Sequence, residues 1–356
     1  MLQEQLMLNS KNVPTKNGDF YQHHPVFDLF WDENVTTRDC EPGYSYNFIG
    51  AKKDPKFTSY EYPSDYHSYE VSIPPIDEEY FEWIDILMSV LDAKENKYTF
   101  VELGAGYGRW TVIAMLAAKM KKIQQTNAIL VEAEPQHVLW LHEHMSNNGI
   151  SDKNYQIVEA AISDKSGKIS FAVGEPKNFN QDTPASWYGQ AISQNLGKER
   201  SNCSKSFWQK LLSKFFSSQN QHSGTIDAGP EHYFGKPVIH HESGYKSIKV
   251  DMVDIRQVMP QWGIIDLVDM DVQGEEAKIV EAGIDIFNQQ VKRLHIGTHS
   301  HVPGVEDDLR RVLKANGWIC LRDFNCGETN ETPYGKVTFG DGVQSWVNPR
   351  FNVTLA

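Results

Sequence analysis

The chain has 356 residues, 40% hydrophobic and 23% charged, the balance of an ordinary globular protein with one large domain or two modest ones. Its formal net charge of −13 argues against a broad nucleic-acid surface, because such surfaces are basic. No apolar run is long enough to cross a bilayer, residues 1–7 show no signal peptide, and the four cysteines (Cys40, Cys203, Cys320, Cys326) show no C-x-x-C spacing, so the expectation is a cytoplasmic protein with free thiols.

Residues 1–75 are rich in Tyr, Phe, His, Asp and Asn and lack a regular period. The aromatics between Phe20 and Trp31 suit an ordered arm that packs on the core, either simply filling it or also covering a site. Residues 76–356 form the main domain. Asp77 is expected to cap a helix, with Glu78 and Glu79 favouring the positive end of its dipole. Tyr80, Ile84, Leu87 and Leu91 then fall on one apolar stripe.

Residues 98–103 read as a short buried strand and residues 110–121 as an apolar helix ending in lysines. Between them Gly104, Gly106 and Gly108 make a tight turn. Strand, glycine turn and helix start form a socket in which the backbone approaches a ligand and helix N–H groups face it. The dinucleotide fingerprint is G-x-G-x-x-G, whereas this turn is G-x-G-x-G with Arg109 where the third glycine would stand. With Glu102 two residues ahead, the pattern E-x-G-x-G-x-G resembles motif I of the class I S-adenosylmethionine methyltransferases. An acid there suits a cofactor carrying an ammonium and a sulfonium. On this reading Glu102, Gly104, Ala105, Gly106, Tyr107, Gly108 and Arg109 form the bed of the methionine half, with Arg109 near its carboxylate.

Residues 127–134 give a second buried strand ending in acids. Pro135 opens the following helix and Gly149 closes it. Ligands of a doubly wound sheet lie at the carboxyl ends of its strands. An acid ending the second strand can therefore accept both hydroxyls of a ribose, with Glu134 the first candidate and Glu132 the second. A third strand runs from Tyr155 to Ile162, and Ala160 and Ala161 are small enough to admit a flat adenine ring. Residues 168–173 read as its hairpin return.

Residues 174–246 differ in composition and form an insertion suited to a lid or to substrate recognition. Within it Phe207, Trp208, Leu211, Leu212, Phe215 and Phe216 recur at helical spacing beside Lys205, Lys210 and Lys214. A lid or homo-oligomer helix, a helix packed on the core and a membrane-surface helix all fit, the acidity of the whole chain favouring the first two. His240 and His241 are weaker candidates for chemistry.

Residues 266–271 read as the fourth strand, with Asp271 at its carboxyl end, and residues 291–301 as the fifth, ending in His299 and His301. A helix over 309–316 and strands over 318–323 and 336–347 complete the chain, the last two an antiparallel pair.

Four ordered segments, Val101–Arg109 (VELGAGYGR), Val131–Pro135 (VEAEP), Ala160–Gly167 (AAISDKSG) and Ile265–Glu276 (IDLVDMDVQGEE), are together similar to the FkbM-type family of class I methyltransferases. The resemblance spans roughly residues 98–173 and 247–324. It departs at Asp269, where the family usually has Lys, and at Gln273, where it usually has Glu. It implies a Rossmann-like α/β fold with a mostly parallel seven-stranded sheet, helices on both faces and an antiparallel last strand. It also implies S-adenosylmethionine as cofactor and O-methylation of a sugar, polysaccharide or related hydroxyl-bearing metabolite.

Methyl transfer from a sulfonium needs alignment above all. A hydroxyl acceptor also gains from a base, and His is suited to that at neutral pH. The expected catalytic set is His299 as base, Asp271 as orienter or substrate ligand, and His301 beside them. Asp269, Asp271 and His299, with His301, also offer ligands for a divalent metal such as Mg²⁺. The competing classes are a nicotinamide-dependent oxidoreductase or epimerase, and a non-catalytic scaffold built on the same fold.

Overall fold

The computed structural model describes residues 12–14, 20–32, 35, 41–58, 68–69, 72–173, 232–241, 246–259, 263–299 and 302–355. Helix α1 (Glu79–Leu91) precedes strand β1 (Lys97–Leu103), which after its first residue is buried throughout. Burial on both faces is what a central parallel strand requires, and it explains the unbroken apolar character of residues 98–103. Then follow α2 (Arg109–Met120), β2 (Gln125–Glu132), α3 (Pro135–Asn147) and β3 (Tyr155–Glu159). The second half adds β4 (Leu267–Met270), α4 (Glu276–Gln290), β5 (Arg293–Thr298), α5 (Val305–Ala315), β6 (Ile319–Phe324) and β7 (Gly342–Val347).

The seven strands lie in the order β6-β7-β5-β4-β1-β2-β3, and only β7 runs antiparallel to its neighbours. This is the class I methyltransferase sheet. Its switch point falls between β1 and β4, where chain order reverses direction, and that crevice is where an open α/β sheet binds ligands. Side chains alternate strictly across the sheet. Tyr98, Phe100, Ala128, Leu130 and Leu267 pack with α1, α2 and the arm residues Val26, Phe27, Phe30 and Phe48. Val101, Leu103, Ile129, Val131, Val268 and Met270 pack with α4 and α5 on the other face.

Three local expectations are corrected. Glu78, not Asp77, holds the N-cap position of α1, and it makes no side-chain cap; its carboxylate instead accepts the Gly340 N–H. Residues 167–172 do not return on the third strand. They pair antiparallel with Lys246–Asp254 in a second sheet that Ala161–Ser163 joins in parallel, because the chain leaves the main sheet after Glu159. Residues 336–347 are not one strand. Gly335–Thr338 pairs with Thr329–Thr332, and the bend at Gly340 and Asp341 separates it from β7. The helix expected around residues 205–216 lies outside the described residues.

Candidate active site

The glycine turn is fixed from beneath by the strands beside it. The N–H groups of Gly104 and Ala105 both donate to the Val131 carbonyl at 3.0 Å, and the Gly106 N–H donates to Glu132 at 2.7 Å. Gly104 (φ +82°) sits so close to the end of β4 that a Cβ there would lie 1.8 Å from the Asp271 carbonyl oxygen. The turn that begins the chain's first ligand motif thus touches the strand end expected to carry the chemistry. Tyr107 turns away from this side and stacks on Phe57 of the arm, ring centroids 5.2 Å apart.

Two charged residues of the turn are held by neighbours in the fold. Glu102 is buried and accepts from the Thr111 N–H at 3.0 Å and the Thr111 hydroxyl at 2.5 Å. It braces the first turn of α2 from inside, and burial pushes its carboxyl well above the usual range. Arg109 forms a two-pronged pair with Glu79 of α1, both contacts 2.8 Å, and its guanidinium stacks on Trp110 at 4.3 Å. Both side chains thus have partners within the protein, Thr111 for Glu102 and Glu79 for Arg109, beside the cofactor contacts expected of them.

The two strand-end acids sit differently. Glu134 is fully buried and caps α3, accepting the His137 N–H at 2.8 Å with the Tyr233 phenol beside it. Burial raises its carboxyl to about 8. Glu132 ends β2 beside the glycine turn and collects the N–H groups of Gly106, Ala133 and Glu134 at 2.7–2.8 Å. Burial outweighs those donors and raises Glu132 to about 7. Glu132 is the acid placed at the turn. Ala160 and Ala161 lie buried where β3 ends and the chain crosses to the second sheet.

Asp271 and His299 do meet, across β4 and β5. His299 Nε2 is 3.3 Å from Asp271 Oδ1, and its Nδ1 is 2.7 Å from Glu276, at the start of α4. Asp341 lies 3.8 Å from Nε2. The Gln273 amide nitrogen donates to Asp271 at 2.9 Å and lies 2.8 Å from His299 Nε2. Burial by itself would lower the ring's pKa, but Glu276, Asp341 and Asp271 overcome it and raise it to about 10. An amide nitrogen at 2.8 Å favours the neutral ring; three carboxylates within 4 Å outweigh one amide dipole. A ring already protonated at neutral pH cannot act as the general base, so that expected role is corrected. Asp271 keeps 57% of its side chain exposed, whereas His299 keeps 1%. His301 lies outside the described residues.

The expected metal set does not form one site. Asp269 points to the α1 face with Glu82 and His295, while Asp271 and His299 group with Glu276. Strand alternation within β4 does not separate Asp269 from Asp271; the chain leaves the strand after Met270 and re-aims the second acid. In the second group each residue offers one ligand atom, all within 4.8 Å of one another, and His299 would give up its ring proton to a metal ion. No step is routed through a metal ion.

Glu276, Asp341 and Gln273 complete the site without having been singled out as site residues in the sequence. The doublet Glu275-Glu276 opening an apolar helix is a usable signal for the first, since a buried acid at a helix start needs a partner. Asp341 carries no such signal. His240 and His241 fall on the edge of the second sheet, where His241 contacts Ser247 at 2.8 Å.

No family model matches the chain. It is 25% identical over 268 residues to a protein of Jannaschia sp. (strain CCS1) that carries the name "Putative methyltransferase", covering 75% of this chain and 78% of that one. Among solved structures it is similar to the methyltransferase FkbM of Methylobacillus flagellatus KT, at 8% identity and a TM-score of 0.37, covering 71% of this chain but only 44% of that one. It is also similar to the METTL16 methyltransferase domain, at 9% identity and a TM-score of 0.36, covering 94% and 86% of the two chains. At such scores the structural likenesses add nothing to what the strand order itself shows.

Proposed function

We propose that this chain is an S-adenosylmethionine-dependent O-methyltransferase acting on a hydroxyl of a sugar, polysaccharide or related small metabolite. The observation that carries the reading is the contact between the two halves of the site. The glycine turn at the switch point of a class I sheet packs directly on the backbone of Asp271, whose exposed carboxylate is backed by His299. The sequence similarity to a methyltransferase points the same way.

The residues fit the cofactor. All three turn glycines hold positive φ, a path that turns main chain rather than side chains toward a ligand. The 104–108 backbone would hold the methionine half, Glu132 the ribose hydroxyls, and the Ala160–Ala161 corner the adenine. S-adenosylmethionine, when bound, supplies an electrophilic methyl group on a sulfonium. The chain's own part is to place the acceptor and take its proton. Asp271 would accept the hydrogen bond of the incoming hydroxyl and take its proton as that oxygen gains the methyl group, the C–S bond breaking to leave the neutral thioether. His299 holds the Asp271 carboxylate in place as a charged donor, a geometry that Glu276 fixes from the far side of the ring.

Calorimetry with S-adenosylmethionine and with NAD tests the cofactor first, and tight NAD binding without S-adenosylmethionine binding would overturn the reading. A methyl-transfer screen with labelled donor against nucleotide sugars, free glycans and hydroxylated metabolites then tests the acceptor class. Asp271→Asn should lower turnover at least a hundredfold, on the order of a lost general base.

A further inference from the structure

We infer that Gln273 is a positioning residue, its backbone and amide together locking Asp271 against His299; the reaction it serves, though not the clamp itself, rests on the methyltransferase reading. Gln273 has φ +55°, the left-handed region that side chains other than glycine and asparagine rarely adopt. Its neighbour Gly274, at φ +103°, could have carried a sharp turn alone. The other non-glycine residues at positive φ among those described are Glu95, Asn96, Lys122 and Phe234. The first three lie just before β1 and after α2, and Phe234 lies in the 233–236 hairpin turn.

Gln273 differs in what its side chain reaches. Its amide nitrogen donates to Asp271 Oδ1 at 2.9 Å, the same oxygen that His299 Nε2 faces at 3.3 Å, so Gln273 and His299 converge on one carboxylate oxygen. Strain held at a position that orders functional groups is the pattern expected when geometry at the site is being fixed. The choice of an amide also has a physical reason. A carboxylate of the same length would stand at 2.9 Å from Asp271 and push it away, in a pocket that already holds Glu276 and Asp341. An uncharged donor of this reach holds the Asp271 carboxylate without repelling it and without adding a second cation beside His299. Because the peptide is turned over at Gln273, its side chain comes back toward the strand end it has just left.

Gln273→Gly separates the clamp from the fold, because it deletes the amide while relieving the backbone strain. The melting temperature should hold or rise by about 1–3 °C. Affinity for S-adenosylhomocysteine, read by calorimetry, should change less than threefold. The His299 Nε2 resonance in spectra of the ¹⁵N-histidine-labelled chain, assigned with His299→Gln, should shift. Gln273→Glu should shift it too, with the opposite backbone consequence, since the strain stays. With any acceptor the screen identifies, Gln273→Gly should lower kcat about tenfold to a hundredfold at nearly unchanged donor KM. An unmoved His299 resonance in both variants would overturn the clamp even if S-adenosylhomocysteine binds normally. Absent donor binding in the unaltered chain, with the resonance shifts present, would instead overturn only the methyltransferase reading.

Discussion

Two glycines that look alike in the sequence should behave differently when a methyl group is added. Gly149 (φ +64°) has nothing within 4 Å of where a Cβ would go, so Gly149→Ala costs only the backbone strain, about 1 kcal/mol. Gly104→Ala drives a Cβ into the Asp271 carbonyl, which belongs to backbone and cannot rotate aside. Either the turn or the strand end must move, and both belong to the candidate site. Calorimetry with S-adenosylhomocysteine should show at least a hundredfold weaker binding for Gly104→Ala and little change for Gly149→Ala. Arg109 supplies the complementary test. Because its guanidinium is spent on Glu79, Arg109→Ala should leave donor affinity within about threefold and lower stability by about 1 kcal/mol, the order of a half-exposed ion pair. A large loss of affinity would restore the direct contact with the cofactor that the sequence suggested.

The elements whose burial is set by local pattern were legible in the sequence. The strand over 98–103, the glycine turn, the helix after Pro135 and the Asp271 strand end all announce themselves through apolar runs, glycine spacing and proline placement. What escaped was long-range pairing. Asp85 of α1 binds His295 of β5 at 2.8 Å and Arg322 of β6 at 2.7 Å, over separations of 210 and 237 residues. A single sequence holds no trace of such a link, so α1 read as a simple amphipathic helix, whereas it carries a buried acid across the sheet. Glu102 reads as a cofactor ligand for a different reason, since its partner Thr111, only nine residues on, is unremarkable in the sequence. The arm shows the same limit from the other side. Its aromatics marked it as packed, but not that Phe57 would stack on Tyr107 in the glycine turn and contact Trp140 of α3. Phe57→Ala should therefore do two things. It should destabilise the protein by about 3–5 kcal/mol, as truncation of a buried phenylalanine does. It should also weaken donor binding several-fold by loosening the turn, and denaturant melts with calorimetry would separate the two effects.

Across the whole molecule the buried titratable groups fall into two opposed sets, and their balance fixes how stability follows pH. Burial raises Glu132 to about 7, Glu134 to about 8 and Asp269 to about 6, and raises Glu82 and Glu102 as well. A raised carboxyl binds protons more tightly folded than unfolded, so its contribution is full below the unfolded value, 4.5 for Glu and 3.8 for Asp, and is lost as pH climbs through the folded one. His299, held up to about 10 by its carboxylates against the effect of burial, acts in the same direction between its unfolded value of 6.5 and 10. The second set is buried histidines. Burial lowers His24 and His137 to about 3 and His144 to about 4. Each is neutral in the fold, and stability is lost as pH falls from 6.5 toward those values, where the unfolded chain takes up protons the fold refuses. Asp85, held near 2 by Arg322 and His295 despite its burial, adds to the acid-side loss below about 4. The two sets overlap only between about pH 5 and 6.5, so the melting temperature should peak there and decline toward pH 8. Glu134→Gln keeps an acceptor for the His137 N–H but removes the buried charge. It should raise the melting temperature at pH 8 by about 5 °C, leave it nearly unchanged at pH 5, and so flatten the alkaline limb. Calorimetric scans of both proteins across pH 4–9 check this. A melting temperature that stays level or rises from pH 6 to 8 in the unaltered chain would mean that these carboxyls keep their charges hydrated, and that the strand-end acids lie open to solvent.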